Sequence, residues 1–295
     1  MSILQSSMLQ SYRLVTRRWR RRIREELARA RRLPAAILFY HRVADRDPND
    51  WTIGRGDFDR HLDWIAAHGR FATLSEIQQG QITGERSELQ VAITFDDGYA
   101  ENCDWALPRL LNRGVPCTYF VTVDQTAKQY AFPHDIRRGR PLPVNNVQQI
   151  REFAERGIEI GCHSWSHLDL GLLHDAATLR REIVDSRATL QDWTGQSIDY
   201  FAFPFGLPRN VSQAAINAIY DAGYRGFVSA YGGWNWPGED AFHLQRIHGD
   251  PGLARLSNWL TLDPRKLRRG SRINYRRNGV DMTSPPQILE NVGVS

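Results

Sequence analysis

Two short stretches hold residues whose types and spacing suit metal-assisted hydrolysis. The first, VAITFDDGYAEN (91–102), ends an apolar run at Phe95 and passes directly into Asp96, Asp97 and Gly98. Neighbouring side chains of a regular strand point to opposite faces. At a strand end the chain can turn, so one carboxylate can reach a cation while the other flanks it. The plainer alternative is a turn aspartate followed by a helix N-cap. The second stretch, EIGCHSWSHLDL (159–170), sets His163 and His167 four residues apart, just after another apolar run. On one helical turn that spacing puts both imidazoles on one side, as a transition-metal site requires; two surface histidines at a helix N-terminus would read the same. Two histidines and one carboxylate leave coordination positions open for water and substrate. His134, His174 and His243 have no partner at such spacing and read as structural, and the Cys162 thiol is expected to point into the core. A third stretch, AILFYHRVAD (36–45), ends a strand-like run Ala36–Tyr40 on His41, which by itself reads as a histidine closing a strand and gains a role only if a site lies at the same strand ends.

The elements that must position these residues alternate along the chain. Apolar runs rich in Ile, Val, Phe and Tyr occur at 36–40, 91–95, 118–123, 158–161, 200–203, 226–229 and 242–247. Between them, helical periodicity covers 99–112, 147–156, 176–193 and 211–222, and Asp57 can N-cap a helix to Ala67 with Phe58, Leu62 and Ile65 facing inward. Gly114, Gly157, Gly195 and Gly223 each stand where a helix should end in a left-handed residue. This alternation predicts an α/β fold, a distorted (β/α) barrel of about seven parallel strands with its active site at the carboxyl ends of the strands. Both metal-type stretches follow strands and so fall on that face. No glycine-rich phosphate loop follows any strand, which disfavours dinucleotide binding.

The 295 residues carry a net charge of +5, unevenly spread. Residues 13–32 hold ten Arg against Glu25 and Glu26, residues 265–277 hold seven basic residues and no acid, and the body between them is acidic. A nucleic-acid enzyme would more often carry its positive charge on the body, so nucleic acid is not expected as a partner. The expected division is a basic amphipathic segment 1–32, a catalytic domain 33–264 and a basic, partly disordered tail 265–295. Tyr12, Val15, Trp19, Ile23 and Leu27 recur on one helical face among arginines. That face could lie on an anionic membrane or dock on the body. Three cysteines, Cys103, Cys117 and Cys162, are too few for a disulfide framework. With no transmembrane run and no convincing secretory signal, a cytoplasmic location is expected, with peripheral contact at the inner membrane face.

TFDDG followed by HSWSH resembles, in order, spacing and strand context, the two metal-site motifs of the polysaccharide deacetylases (carbohydrate esterase family 4, the NodB-homology domain), over roughly residues 35–250. The resemblance implies that Asp96 is the general base and that Asp97, His163 and His167 bind a divalent metal, zinc first, with Ni2+, Co2+ or Fe2+ as alternatives. The family's arginine–Xaa–Pro–aromatic–Gly motif stands here as AFPFG (202–206), so Phe205 can offer its N–H to an oxyanion, but Ala202 replaces the arginine that tethers the base. Arg246 in LQRIHGD is the candidate substitute. The histidine acid is either His248 in RIHGD or His41, whose strand-end Tyr–His resembles the permuted branch typified by poly-N-acetylglucosamine deacetylases. Tyr99, Trp165 and Trp234, with Asn102, Tyr231 and Trp236 beside them, are candidates for the sugar-binding wall. The implied activity is release of N-acetyl groups from an N-acetylated glycan. A deacetylase or deformylase of a lipid-linked sugar or other amide, and an inactive glycan-binding module, are the alternatives, the last resting on the missing arginine at 202.

Overall fold

The computed structural model describes residues 3–230, 232–249, 252–267, 273–277 and 280–281. All seven apolar runs form strands. β1 (Ala36–Tyr40), β2 (Gln90–Phe95), β3 (Cys117–Val121), β4 (Glu159–Cys162), β5 (Tyr200–Ala202) and β6 (Gly226–Val228) lie side by side in the order β6-β5-β4-β3-β2-β1, all parallel. The seventh run splits into β7 (His243–Leu244), parallel to β6, and β8 (Ile247–His248), parallel to β1. One short stretch thus touches both edges and draws the sheet into the strongly curled, distorted barrel that the alternation predicts. A strand Arg70–Phe71, not foreseen, pairs with the start of β2.

Side chains alternate between two cores, as pleated strands require. Ile37, Ala92, Phe120, Ala202, Val228 and Leu244 form one cluster, which Leu74 and Ile77 of helix Leu74–Thr83 join. Gln78 of that helix donates to the carbonyls of Arg225 and Ala241, just ahead of β6 and β7, and so plugs the amino end of the sheet. Leu38, Val91, Ile93, Tyr119 and Ile160 belong to the larger core beneath the surrounding helices. Gly161 makes room for Phe120: a Cβ there would sit 2.4 Å from the ring.

The helices follow their caps. Thr73 with Glu76 and Asn146 with Gln149 form capping boxes, and Gly114, Gly157, Gly195 and Gly223 all take positive φ after helix ends, as expected. Asp57 is not a cap. Its helix, Arg55–His68, takes Gly54 as its N-cap, three residues earlier, which leaves Asp57 in the first turn against Arg60.

Helices Ile3–Val15 and Arg17–Arg29 pack on the body rather than standing apart. Buried Arg20 donates to the Asn258 carbonyl and side chain and to Thr261, Tyr12 donates to Asp263, and Ile23 and Leu27 join the main core. The predicted apolar face is therefore only half used. Its other members, Val15 and Trp19, stay outside, 84% and 48% exposed. Among the described tail residues, Ile273 and Tyr275 are buried, and Tyr275 donates to Asp240. The rest of the tail for which disorder is expected lies outside the described residues.

Candidate active site

β2 delivers Asp96 with the inward parity of Ala92 and Thr94. Its N–H is fixed by the Tyr40 carbonyl at 2.9 Å. Asp97 follows in a left-handed conformation, φ 71°, which turns its carboxylate toward the histidines. Asp97 Oδ1 lies 3.3 Å from Nε2 of His163 and 3.3 Å from Nε2 of His167. The Nδ1 of His163 is 2.9 Å from the Ala202 carbonyl, an acceptor that leaves Nε2 to face the carboxylate.

The helical turn expected for His163–His167 is absent. The segment is a loop in which Ser164 (φ 67°) and His167 (φ 60°) are left-handed, and this folds the two rings to 5.0 Å between centroids. Buried Glu182 pins the loop by accepting from the N–H groups of Trp165 and Ser166 and from the Ser166 hydroxyl, while Ser164 Oγ accepts from the His167 N–H. Of eight non-glycine residues with positive φ among those described, Asp97, Ser164, His167 and Phe205 are four. Such conformations cost about 1–3 kcal/mol each and persist where the surroundings over-determine them, so strain gathers at this cluster.

The three donors fit a divalent cation. They lie within 4.8 Å of one another, and 3.3 Å is close to the edge, about 3.4 Å, of a tetrahedron with metal–ligand bonds of about 2.1 Å. Burial alone would push the Asp97 carboxyl up, but hydrogen bonds from both imidazoles hold it well below the ordinary carboxylate range, the form a cation needs.

Asp96 is gripped by Arg246. Nη1 and Nη2 meet Oδ1 and Oδ2 at 2.6 and 2.8 Å, and both side chains are buried. Arg246 lies in the two-residue break between β7 and β8. It also donates to the Ser229 carbonyl and Thr94 hydroxyl, and it lies over the rings of Phe39 and Phe120. Burial raises the Asp96 carboxyl, but the charges of Arg246 and His163 outweigh it, and the net shift is downward.

A cavity of about 750 Å³ opens over this cluster at the carboxyl ends of the strands. His41 and His248 both line it, 6.3 Å apart, each edge-on to Phe39. The His41 carbonyl accepts from Asn102, whose own carbonyl holds the Val43 N–H, so Asn102 is a buried clamp on this segment rather than a rim residue. Phe205 (φ 62°) projects into the cavity, edge-on to His167.

The three aromatic residues expected to face sugar do not line it. Tyr99 is fully buried, bonded to His134 and Asp135; Trp165 packs on the core beneath Arg181; Trp234 is buried against Trp259. Trp236 is likewise core, and Tyr231 lies outside the described residues. In their place stand Trp51, 4.9 Å from His41, and His134. Neither sits in a recognisable motif; for His134 the only signal would have been a partner for the buried Tyr99 hydroxyl. His243 is buried, stacked on Phe227, and the Cys162 thiol points into the core against Ser186, as expected.

The polysaccharide deacetylase family model matches residues 83–227, the span that carries both metal-type motifs. The chain belongs to the polysaccharide deacetylases. YxkH of Bacillus subtilis (strain 168), assigned to the same family by name, is 26% identical over 221 residues, 74% of this chain and 72% of that protein. The fold matches the deacetylase PplD of Streptococcus pyogenes, solved with acetate, at a TM-score of 0.64 and 19% identity, covering 80% of this chain and 99% of that one. It also matches a de-N-acetylase of Aggregatibacter actinomycetemcomitans at 0.61 and 19% identity, covering 77% and 100%. The protein is thus a hydrolase of carbon–nitrogen bonds with an Asp–His–His cluster able to hold a divalent metal.

Proposed function

We propose that this deacetylase removes N-acetyl groups from an N-acetylated glycan, with Asp97, His163 and His167 holding a divalent cation, zinc first among Zn2+, Ni2+, Co2+ and Fe2+. The observation that carries the reading is Asp97 placed 3.3 Å from both Nε2 atoms beside a second carboxylate, Asp96, that Arg246 keeps ionised. A cation bound there would supply Lewis acidity toward a carbonyl oxygen and a nearby water. Asp96 accepts the proton of the attacking water. Arg246 orients that carboxylate by its two-point grip. The Phe205 N–H donates to the oxygen of the tetrahedral adduct. His41, as imidazolium, gives its proton to the departing nitrogen, since an unprotonated amide nitrogen leaves poorly; the His41 charge acts on both Asp96 and Asp97. His248, on the same rim, is the competing acid.

The inactive-module reading loses its support, because the carboxylate that Ala202 cannot tether is tethered by Arg246. The test pairs bound metal with acetate release from N-acetylglucosamine oligomers. Wild type should bind one divalent ion and release acetate; His163→Ala should lose both. Failure of reconstituted wild type to bind metal would refute the site. Of His41→Ala and His248→Ala, the former should be inactive; if only His248→Ala is inactive, the assignment of the acid is wrong.

A further inference from the structure

The two N-terminal helices bury one face and leave two others unused. Arg20, Ile23 and Leu27 face the body. Met8, Val15 and Trp19, spaced by seven and four residues, share one flank of this helical segment. They are 71%, 84% and 48% exposed. On another side, Arg13, Leu14, Arg17, Arg21, Arg24 and His68 line a groove of about 740 Å³ that no acidic side chain lines. Arg17 and Arg18 make no ion pair among the described residues, whereas Arg21, Arg22 and Arg29 reach only Glu25 and Glu26 on their own helix.

Two unlike surfaces therefore sit on this pair of helices: an exposed apolar ridge, and an arginine-lined groove with a net positive charge. A helix lying flat in a bilayer interface needs this pair, apolar side chains entering the acyl boundary and cations at phosphate depth. We infer that the exposed ridge of Met8, Val15 and Trp19, with the arginines around it, docks this enzyme on an anionic phospholipid bilayer. The buried contacts of Tyr12 and Arg20 fix the orientation of the helices on the catalytic body, so the cleft would be held at a set angle to the lipid surface. This inference is independent of the deacetylation chemistry, and its test reads membrane binding and acetate release separately.

The experiment sediments the 295-residue chain with vesicles of neutral phosphatidylcholine or of phosphatidylcholine with phosphatidylglycerol. Wild type should pellet with the anionic vesicles only, and less so as salt is raised. Val15→Ser/Trp19→Ser should weaken binding roughly tenfold or more by removing the apolar entry. Arg17→Gln/Arg18→Gln should weaken it about 25-fold, at about fivefold per arginine. Both variants alter exposed positions, so acetate release from a soluble oligomer should match wild type and show the fold intact. No binding of wild type to anionic vesicles would overturn the inference. So would equal binding to neutral ones, or binding that neither variant weakens, which would put the lipid contact elsewhere on the protein.

Discussion

Replacing Arg246 with Met tests how the buried Asp96 carboxylate is held. Methionine is a flexible apolar side chain that can fill space between Phe39 and Phe120, but it removes the guanidinium that lies over both rings. Asp96 is 3% exposed, so it would be left as an unpaired charge with almost no access to water. Breaking a buried ion pair from one side costs about 3–5 kcal/mol. The Ser229 carbonyl and Thr94 hydroxyl also lose a donor. Urea unfolding of metal-free protein at neutral pH should therefore show Arg246→Met about 3–5 kcal/mol less stable at an unchanged m-value. Adding Asp96→Asn should recover much of the loss, because the stranded group is then neutral, with a coupling energy of about 2 kcal/mol or more from the double-mutant cycle. Arg246→Lys restores charge but not the two-point fork, and should recover stability more fully than activity. An Arg246→Met cost below about 1 kcal/mol, or no rescue by Asp96→Asn, would refute the reasoning.

Two further outcomes follow from other buried groups. Glu182→Gln turns an acceptor of three hydrogen bonds into a mixed donor, loosening the loop that carries His167; metal affinity should fall about 10–100-fold in a competition titration, with Asp97 and both histidines intact. Burial pushes His243 down to about 3, so it stays neutral when folded but takes a proton near its ordinary value of 6.5 when unfolded. The unfolded state then binds more protons between these values, so the stability this histidine permits is complete above pH 6.5 and declines as pH falls toward 3. The decline approaches about 1.4 kcal/mol per pH unit from this group, and His243→Phe should flatten it in urea midpoints taken from pH 7.5 to 5.

The strands were legible because each is a continuous apolar run with breaks on either side, which fits a sheet covered on both faces. Asp97, His163 and His167 were legible because each follows such a run, and parallel strands bring their carboxyl ends together. The conformation of 163–167 was not: four-residue spacing suits a helix, and only Glu182, far along the chain, holds the loop in its left-handed turns. Arg246 could be proposed because it follows another strand, but its two-point grip depends on the break between β7 and β8 that turns it inward. Tyr99, Trp165 and Trp234 show the opposite failure. An aromatic ring next to a motif looks alike in sequence whether it packs in a core or lines a cleft, and these three lie outside the cleft while Trp51 and His134 line it.

The split seventh strand also bears on when the enzyme can work. β7 and β8 are the clasp of the barrel, and Arg246 sits inside it, 150 residues after the carboxylate it holds. A pairing so distant in sequence pays its loop-closure entropy late. Until the clasp shuts, Asp96 has no cation to aim it. A nascent chain that stops before residue 246 would carry Asp97, His163 and His167 but not the arginine that grips Asp96.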